Sequence, residues 1–441
     1  MSLAIIEIND CGLCCGTGKG DMFISPGYAL LTEQGVTTGN AARLKAYLKP
    51  QQSFNQFWRQ LNLSPLPAPT HHARHNADLA YAQLLELHRE SGSPEEVVFA
   101  TPGSFDRDQL SIILGLAKAS PFKTLGLIDS AVAATSQFST ANGNQLLHLD
   151  IQLHQLVLTR LTVGSHIERT LVEVVADTGL KTFYDSWARY IADKFIQQYR
   201  YDPLHTAEGE QQLYNLLPDW LGRMNGDQEL AIALDSPQGS YRLNINRNDL
   251  LANSSKKLDQ LQQRLNSILH EEDTLVASHR TNLLPGLTEQ LGPFRTLPDN
   301  AAVLGCLENL ESIAGTGESI HLVTRLPHRQ HATSFETAPQ SPPPQQATSQ
   351  QPPMTEATIP THVLYQHKAL AIGDILYIHQ DSEQLSFSQQ QTSTTVLIHG
   401  NGEIRLRTEQ DDVTTQNPGG PLHTGDIIKI GTHSLQLIEV A

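Results

Sequence analysis

Residues 274–287, TLVASHRTNLLPGL, followed at 301–307 by AAVLGCL, decide how this chain is read. TLVA is a short apolar run bounded by turn formers, which predicts a buried strand. The polar segment from Ser278 to Asn282 predicts a turn, and Pro285–Gly286 punctuates the step into a helix. AAVLGCL predicts a second helix. Strand, turn, helix, helix is how one part of a larger α/β body ends.

The same beat extends toward the N-terminus. LAIIEIND (3–10) is a β-branched apolar run, GTGKGD (16–21) a turn, and MFISPGYALL (22–31) a return in extended chain. ADLAYAQLLELHRE (77–90) has helical apolar spacing, EEVVFATPGSF runs from strand into loop, and DRDQLSIILGLAKAS predicts a helix opened by Asp106. TLGLIDSAVAATSQF is a strand and then an Ala-rich helix. From about Asn144, QLLHLDIQLHQLVLTRLTVGSHIERTLVEVVADTG predicts three strands joined by tight turns, and a long amphipathic helix follows over KTFYDSWARYIADKFIQQYR. A helix over 209–224, a hairpin over 229–246 and a helix of many turns then lead back to 274. Strands followed by helices, twice, predict sheets covered by helices.

Composition narrows the function. The chain has 441 residues, 30 Lys and Arg against 46 Asp and Glu, and a net charge of −16, with no basic run. A phosphate-neutralising groove for DNA or RNA is therefore not expected, and protein partners or small ligands are. LAIIEI is too short to span a bilayer, lacks a basic flank and is followed by Asn9 and Asp10 rather than a small-residue cleavage site. No membrane insertion is expected, and the chain is read as soluble and cytoplasmic. Its four cysteines, Cys11, Cys14, Cys15 and Cys306, form no disulfide framework. Cys11-x-x-Cys14 has metal-knuckle or redox spacing, but no second pair completes a site, and small residues filling a strand and hairpin are the expected role. His71 and His75 would share a face only if their segment were helical; otherwise they lie in a solvated loop. Asp202, His205, Glu208 and Glu210 match no hydrolase or metal spacing and fit a helix N-terminus. Trp58, Trp187 and Trp220 are expected in the core.

The succession of elements over residues 3–327 resembles the actin/Hsp70 ATPase superfamily, specifically its Hsp70-like branch. VVFATPGSFDRDQLSIILGLAKASPFKTLGLIDSAVAAT (97–135) is the most specific match, ADTGLKTFYDSWARYIADKF (176–195) resembles that family's Gly-rich turn and helix, and LNINRNDLL (243–251) its step toward the final segment. The resemblance implies an α/β, two-lobed, duplicated fold that holds ATP or ADP with Mg. It places the catalytic acid of the first hairpin at Glu7 or Asp10, with Asn9 or Gly12 in the glycine role, and the acid of the second hairpin at Asp150. It places further nucleotide contacts at Gly179, Ala277, Ser278 and Arg280. Glycine serves at such contacts because a Cβ would strike the ligand. Here the second hairpin continues as Ile151, Gln152, Leu153, His154, and the two glycines of the third site are Ala277 and Ser278. GTGKG is not a Walker loop, since Leu13 stands where the first glycine belongs and Gly20 follows Lys19. Where the family offers Lys and Glu to adenine, this chain has Gln211 and Gln212.

Residues 329–360 are dense in Pro, Gln, Ser and Thr and predict a disordered tether. Beyond it, period-two alternation with NG and GG turns predicts a small all-β sandwich over 361–441. NPGGPLHTGDIIKIGTHSLQLIEV (417–440), through Gly425, Asp426 and Gly431, resembles the closing strands of a forkhead-associated domain. That class reads phosphothreonine, but Ile372-Gly373-Asp374 stands where its Gly-Arg pair belongs. The expected organisation is lobe I over 1–143, lobe II over 144–328, the tether, and the sandwich. The expected function is a scaffold or assembly factor, a pseudo-ATPase that recruits protein partners. An active Mg-ATP-dependent switch and a filament-forming actin homologue are the alternatives.

Overall fold

The computed structural model describes residues 2–18, 20–138, 145–270, 273–292, 294–315 and 320–328, then 360–365, 368–372, 375–380, 385–388, 395–400, 403–408, 413–415, 422–424, 426–430 and 433–439. The tether, up to residue 359, lies outside the described residues, as do Lys19, Gly373, Asp374, Gly425 and Gly431. The chain is mixed α/β and divides into two units, residues 1–337 and 338–441.

In the first unit the N-terminal apolar run becomes β1 (Leu3–Glu7), which turns back as β2 (Leu13–Thr17) and again as β3 (Met22–Ser25). A small sheet of β4 (Ala29–Thr32), β5 (Gly35–Thr38) and β6 (Ser53–Phe54) follows, with α1 (Gly39–Arg43) inserted. Then come α2 (Asn76–Glu90), β7 (Glu96–Thr101), α3 (Arg107–Ala119), β8 (Lys123–Asp129) and α4 (Ser130–Thr135). Asp106 caps α3 by accepting from the Gln109 amide, as its position in the sequence predicts. His75 precedes α2 and holds Asp78 through its backbone and ring, while His71 and His72 sit in the loop before it. The three histidines therefore share no helical face.

The second part repeats the plan. It runs β9 (Gln145–Ile151), β10 (Gln155–Val163), β11 (His166–Ala176), α5 (Leu180–Tyr199), α6 (Ala207–Arg223), the hairpin β12 (Glu229–Ser236) and β13 (Gly239–Asn246), and α7 (Arg247–Ile268). TLVASHRTNLLPGL then supplies β14 (Thr274–Ala277), a 3-10 turn (His279–Leu283) and the start of α8 (Leu287–Leu291). It is followed by β15 (Arg295–Thr296), α9 (Ala301–Glu308), α10 (Leu310–Ile313), β16 (Leu322–Val323) and β17 (Arg325–Pro327).

The two six-stranded sheets share a core of five strands and differ in where the sixth is added. In the first the order is β3-β2-β1-β7-β8-β16, and in the second β17-β11-β10-β9-β14-β15. In the shared core an antiparallel meander is continued beyond its first strand by two parallel ones, β1 by β7 and β8, and β9 by β14 and β15; β16 then extends the first sheet in parallel beyond β8, whereas β17 pairs antiparallel with β11 at the opposite edge of the second. The β1–β2 turn and the β9–β10 turn are thus equivalent positions in the two repeats.

Apolar burial holds the repeats together. Trp58 and the inner face of α2 cover the first sheet, and Trp187 and Trp220 pack between α5, α6 and the second. A third cluster draws on both sheets, joining Ile5 and Val98 to Leu146 and Val276 through α4 and α9. Each such aliphatic side chain contributes about 1.5–3 kcal/mol when fully buried. Helices α4 and α9 cross closely because Gly305 faces the Ala133 carbonyl, where a Cβ would come within 1.9 Å.

The C-terminal unit is antiparallel β throughout its described strands. They are β18 (His362–Tyr365), β19 (Lys368–Ala371), β20 (Ile375–Gln380), β21 (Leu385–Ser388), β22 (Thr395–Gly400), β23 (Glu403–Arg407), β24 (Val413–Thr415), β25 (Ile427–Ile430) and β26 (His433–Ile438). They form sheets ordered β19-β18-β26-β25-β24 and β21-β20-β22-β23. Val363, Leu437, Ile378 and Leu397, drawn from both sheets, lie in one buried cluster. Among the described residues, no helix is long and apolar enough to cross a membrane.

Candidate functional site

The strand ends of the two repeats meet at a buried polar cluster. Glu7 closes β1, Asn9 and Asp10 lie in the turn after it, Asp150 is next to last in β9, and Arg280 stands in the 3-10 turn after β14. All five side chains are buried. The three acids proposed as catalytic are therefore brought together, along with Asn9 and Arg280.

Arg280 organises the cluster. Its Nη1 and Nη2 donate to Glu7 Oε1 and Oε2 at 2.9 and 3.0 Å, a two-pronged geometry that suits guanidinium and carboxylate. Nη2 also reaches the Gly12 carbonyl at 3.4 Å, and Nη1 lies 3.7 Å from Asp150 Oδ1. Burial alone would lower the Arg280 pKa, but Glu7 and Asp150 together raise it above its ordinary value. The cation is permanent.

The two turns lock onto each other. Asn9 Nδ2 donates to Asp150 Oδ2 at 2.9 Å and to the Ile151 carbonyl at 3.0 Å, while Asp10 Oδ1 accepts from the Leu153 amide at 2.6 Å. Each turn thus satisfies the other's polar groups. Asp150, which turn amides of its own hairpin could have satisfied, is held by Asn9 from the opposite repeat. Burial pushes the Asp10 carboxyl up to about 6, against the Leu153 amide, which lowers it, and with Asp150 adding repulsion.

The nucleotide-contact positions inferred from the sequence have other occupations. Gly12 faces Ile24, whose Cγ2 would lie 2.8 Å from an added Cβ. Gly179 packs on the β9–β10 turn, where a Cβ would stand 2.3 Å from the Gln155 amide nitrogen. Ala277 is buried in β14 opposite Leu149, and the Ser278 amide donates to the Leu149 carbonyl. His148, Ser278, Glu7 and Arg280 line a void of about 10 Å³, roughly the room of one water at most. Among the described residues, both ring nitrogens of His148 and Ser278 Oγ, which line it, and Asp150 Oδ1 have no hydrogen-bond partner. Burial lowers the His148 pKa, so the ring is neutral near pH 7.

These residues do not fit a Mg-nucleotide. A phosphate cradle needs backbone amides converging on one anion. Here the Leu180 and Lys181 amides at the start of α5 donate to the Gln152 and Leu153 carbonyls at 2.9 Å, and the Leu153 amide is held by Asp10. The Leu153 side chain is buried with Tyr28, Leu30, Ala42 and Ala46. Among the described residues no group of three or more His, Cys, Asp or Glu side chains is placed to hold a metal ion. The four cysteines are free thiols, with Cys14 and Cys15 on opposite faces of β2 and both buried. Asp202 accepts from the Leu204 amide and Thr206 caps α6, so the polar run there serves a helix start.

The outer cleft is closed by residues that the sequence reading did not assign to closure. Gln211 of α6 accepts from the Tyr47 amide at 2.9 Å and donates to the Arg43 carbonyl at 3.1 Å. Tyr47 stacks on Tyr214 with ring centroids 4.1 Å apart, and Lys181 Nζ lies over both rings. On the other side of the cluster, Asp129 accepts from the Ala131 and Val132 amides of α4 and pairs with Arg169 at 2.8 Å. The Gln211–Gln212 substitution was the signal available for the first of these. No family model matches the chain, and none of the curated proteins matches it.

Proposed function

We propose that this chain is a protein-binding scaffold built on a degenerate actin/Hsp70-type fold, with a forkhead-associated-like β-sandwich at its C-terminal end. The duplicated strand order supports the fold, and the shared core of the two C-terminal sheets supports the sandwich. The observation that carries the function is the bidentate Arg280–Glu7 pair with Asp150 beside it. A side-chain cation answers the carboxylates that a nucleotide-bound metal would otherwise face, and bonds between the β1–β2 and β9–β10 turns hold the cleft shut without a ligand. A body fixed in this way presents constant surfaces to partners.

The convergence of Glu7, Asp10 and Asp150 favours a second reading, an ATP-driven switch in which Arg280 leaves the cluster when Mg-nucleotide enters. Calorimetric titration of the full chain with ATP and ADP, with and without Mg²⁺, separates the two. The scaffold reading expects no heat of binding at millimolar nucleotide; micromolar binding overturns it. For partners, separate pull-downs with residues 1–328 and with the whole chain assign recruitment to the body or to the C-terminal unit.

A further inference from the structure

The residues that bridge the outer cleft, Tyr47, Lys181, Gln211 and Tyr214, also line a cavity of about 340 Å³ bounded by α1, α5 and α6. That volume falls at the small end of ligand pockets. Much of the lining is apolar or aromatic: Leu153, Leu180, Tyr28 and Tyr184, with Ile24 and Leu283 partly exposed at its edge.

Two cations line it, and only one is answered. Lys181 Nζ binds the Asp185 carboxylate at 2.7 and 2.9 Å, and Glu210 also faces Lys181. Arg43 donates through Nε to the neutral Asn40 Oδ1 at 3.0 Å and makes no ion pair among the described residues. The neighbouring phenols cannot serve as its counterion, because burial pushes Tyr28 and Tyr184 above the ordinary tyrosine range. The Cys11 thiol is likewise pushed up by burial and stays neutral. What remains is a small apolar cavity with one uncompensated guanidinium, a group suited to planar two-pronged recognition of a carboxylate.

We propose that this cavity binds a small aryl carboxylate, its ring against Leu153, Leu180 and Tyr184 and its carboxylate on Arg43. The inference rests on the scaffold reading, since the cavity has this shape only with the 152–154 turn seated against α5.

The test is calorimetric titration of the full chain with indole-3-acetate and with the neutral indole-3-acetamide. The acid is expected to bind at least tenfold more tightly than the amide, Arg43→Gln to lose at least tenfold in affinity for the acid, and Arg43→Lys to recover part of that loss. Equal affinity for acid and amide, no binding of the acid at millimolar concentration, or an unchanged affinity in Arg43→Gln overturns the proposal. Thermal melting establishes that Arg43→Gln is folded; if it is not, the acid-against-amide comparison on the native chain decides. A parallel Mg-ATP titration keeps the failures apart: nucleotide binding overturns the scaffold reading, whereas silence toward both ligands overturns the carboxylate site alone.

Discussion

Arg280 and Glu7, 273 residues apart, meet in a two-pronged ion pair at 2.9 and 3.0 Å, and both are buried. The pair joins the 3-10 turn after β14 to the end of β1, so it ties the second sheet to the first. Removing one partner leaves a buried charge uncompensated, which costs about 3–5 kcal/mol. Arg280→Met is expected to destabilise the first unit by that order, and Glu7→Gln by a similar one. The double variant is expected to be less damaged than the sum of the singles, because the surviving charge is gone too. Urea unfolding of the four proteins checks it; additive losses would show that the two residues do not act as a pair.

Asp10 gives the cluster a pH dependence with a definite sign. Its carboxyl is raised in the fold from 3.8 to about 6. The fold therefore favours the protonated form, and its contribution is fully present below about pH 4 and lost as pH rises through about 6, on the order of 3 kcal/mol. His148, His154 and His279, whose pKa values burial lowers, act in the opposite sense as pH falls below the ordinary histidine range. Asp10→Asn keeps an oxygen for the Leu153 amide and cannot ionise. Relative to the native chain it is expected to gain stability between about pH 4 and about pH 7, a difference in which the histidines cancel. Parallel denaturation curves across that range read it directly, and a flat difference would remove Asp10 as the titrating group.

Local pattern made much of the fold legible. The β-branched run at Leu3–Glu7, the Asp106 cap and the helical spacing of 77–90 each act within a few residues, so the chain itself records them. The strand succession was also readable, because each strand lies between recognisable turns. What could not be read was how the carboxylates are answered. The family resemblance places Arg280 beside a ligand, and only the three-dimensional closeness of Glu7 and Asp150 makes it an internal counterion. Gln211 was noted as a departure, yet its bonds to residues 43 and 47 span 168 and 164 positions, and no periodicity encodes those.

Gln211 should behave as a clasp. Its side-chain amide bonds the Arg43 carbonyl, the Tyr47 amide and Asn215, and it is buried. Gln211→Leu keeps the volume but leaves backbone groups unpaired, at about 1–3 kcal/mol. The loss is expected to be local, with hydrogen exchange of the Tyr47 amide at least tenfold faster and strands β1 and β9 protected as before. Unchanged exchange at Tyr47 would mean that the Tyr47–Tyr214 stack closes the cleft without Gln211.

Gly179 sits where the β9–β10 turn rests on the start of α5. Its φ of −76° is open to any residue, so the constraint is space alone. A Cβ there would lie 2.3 Å from the Gln155 nitrogen and 2.4 Å from the His154 carbonyl carbon, both backbone atoms that cannot move without the turn. Gly179→Ala must lift the turn off α5, lengthening the Leu180 and Lys181 amide bonds to Gln152 and Leu153 and drawing the Leu153 amide from Asp10. Overpacking of this kind costs about 1–3 kcal/mol or more. Gly164, with nothing within 4 Å of an added Cβ and no positive φ, is the control. Gly164→Ala is expected to be neutral or to stabilise by about 0.4–1 kcal/mol through the unfolded chain. Chemical denaturation of both variants decides whether the turn is held by contact with α5: equal effects at positions 164 and 179 would show that the 152–154 turn can shift freely, and with it the barrier to a phosphate.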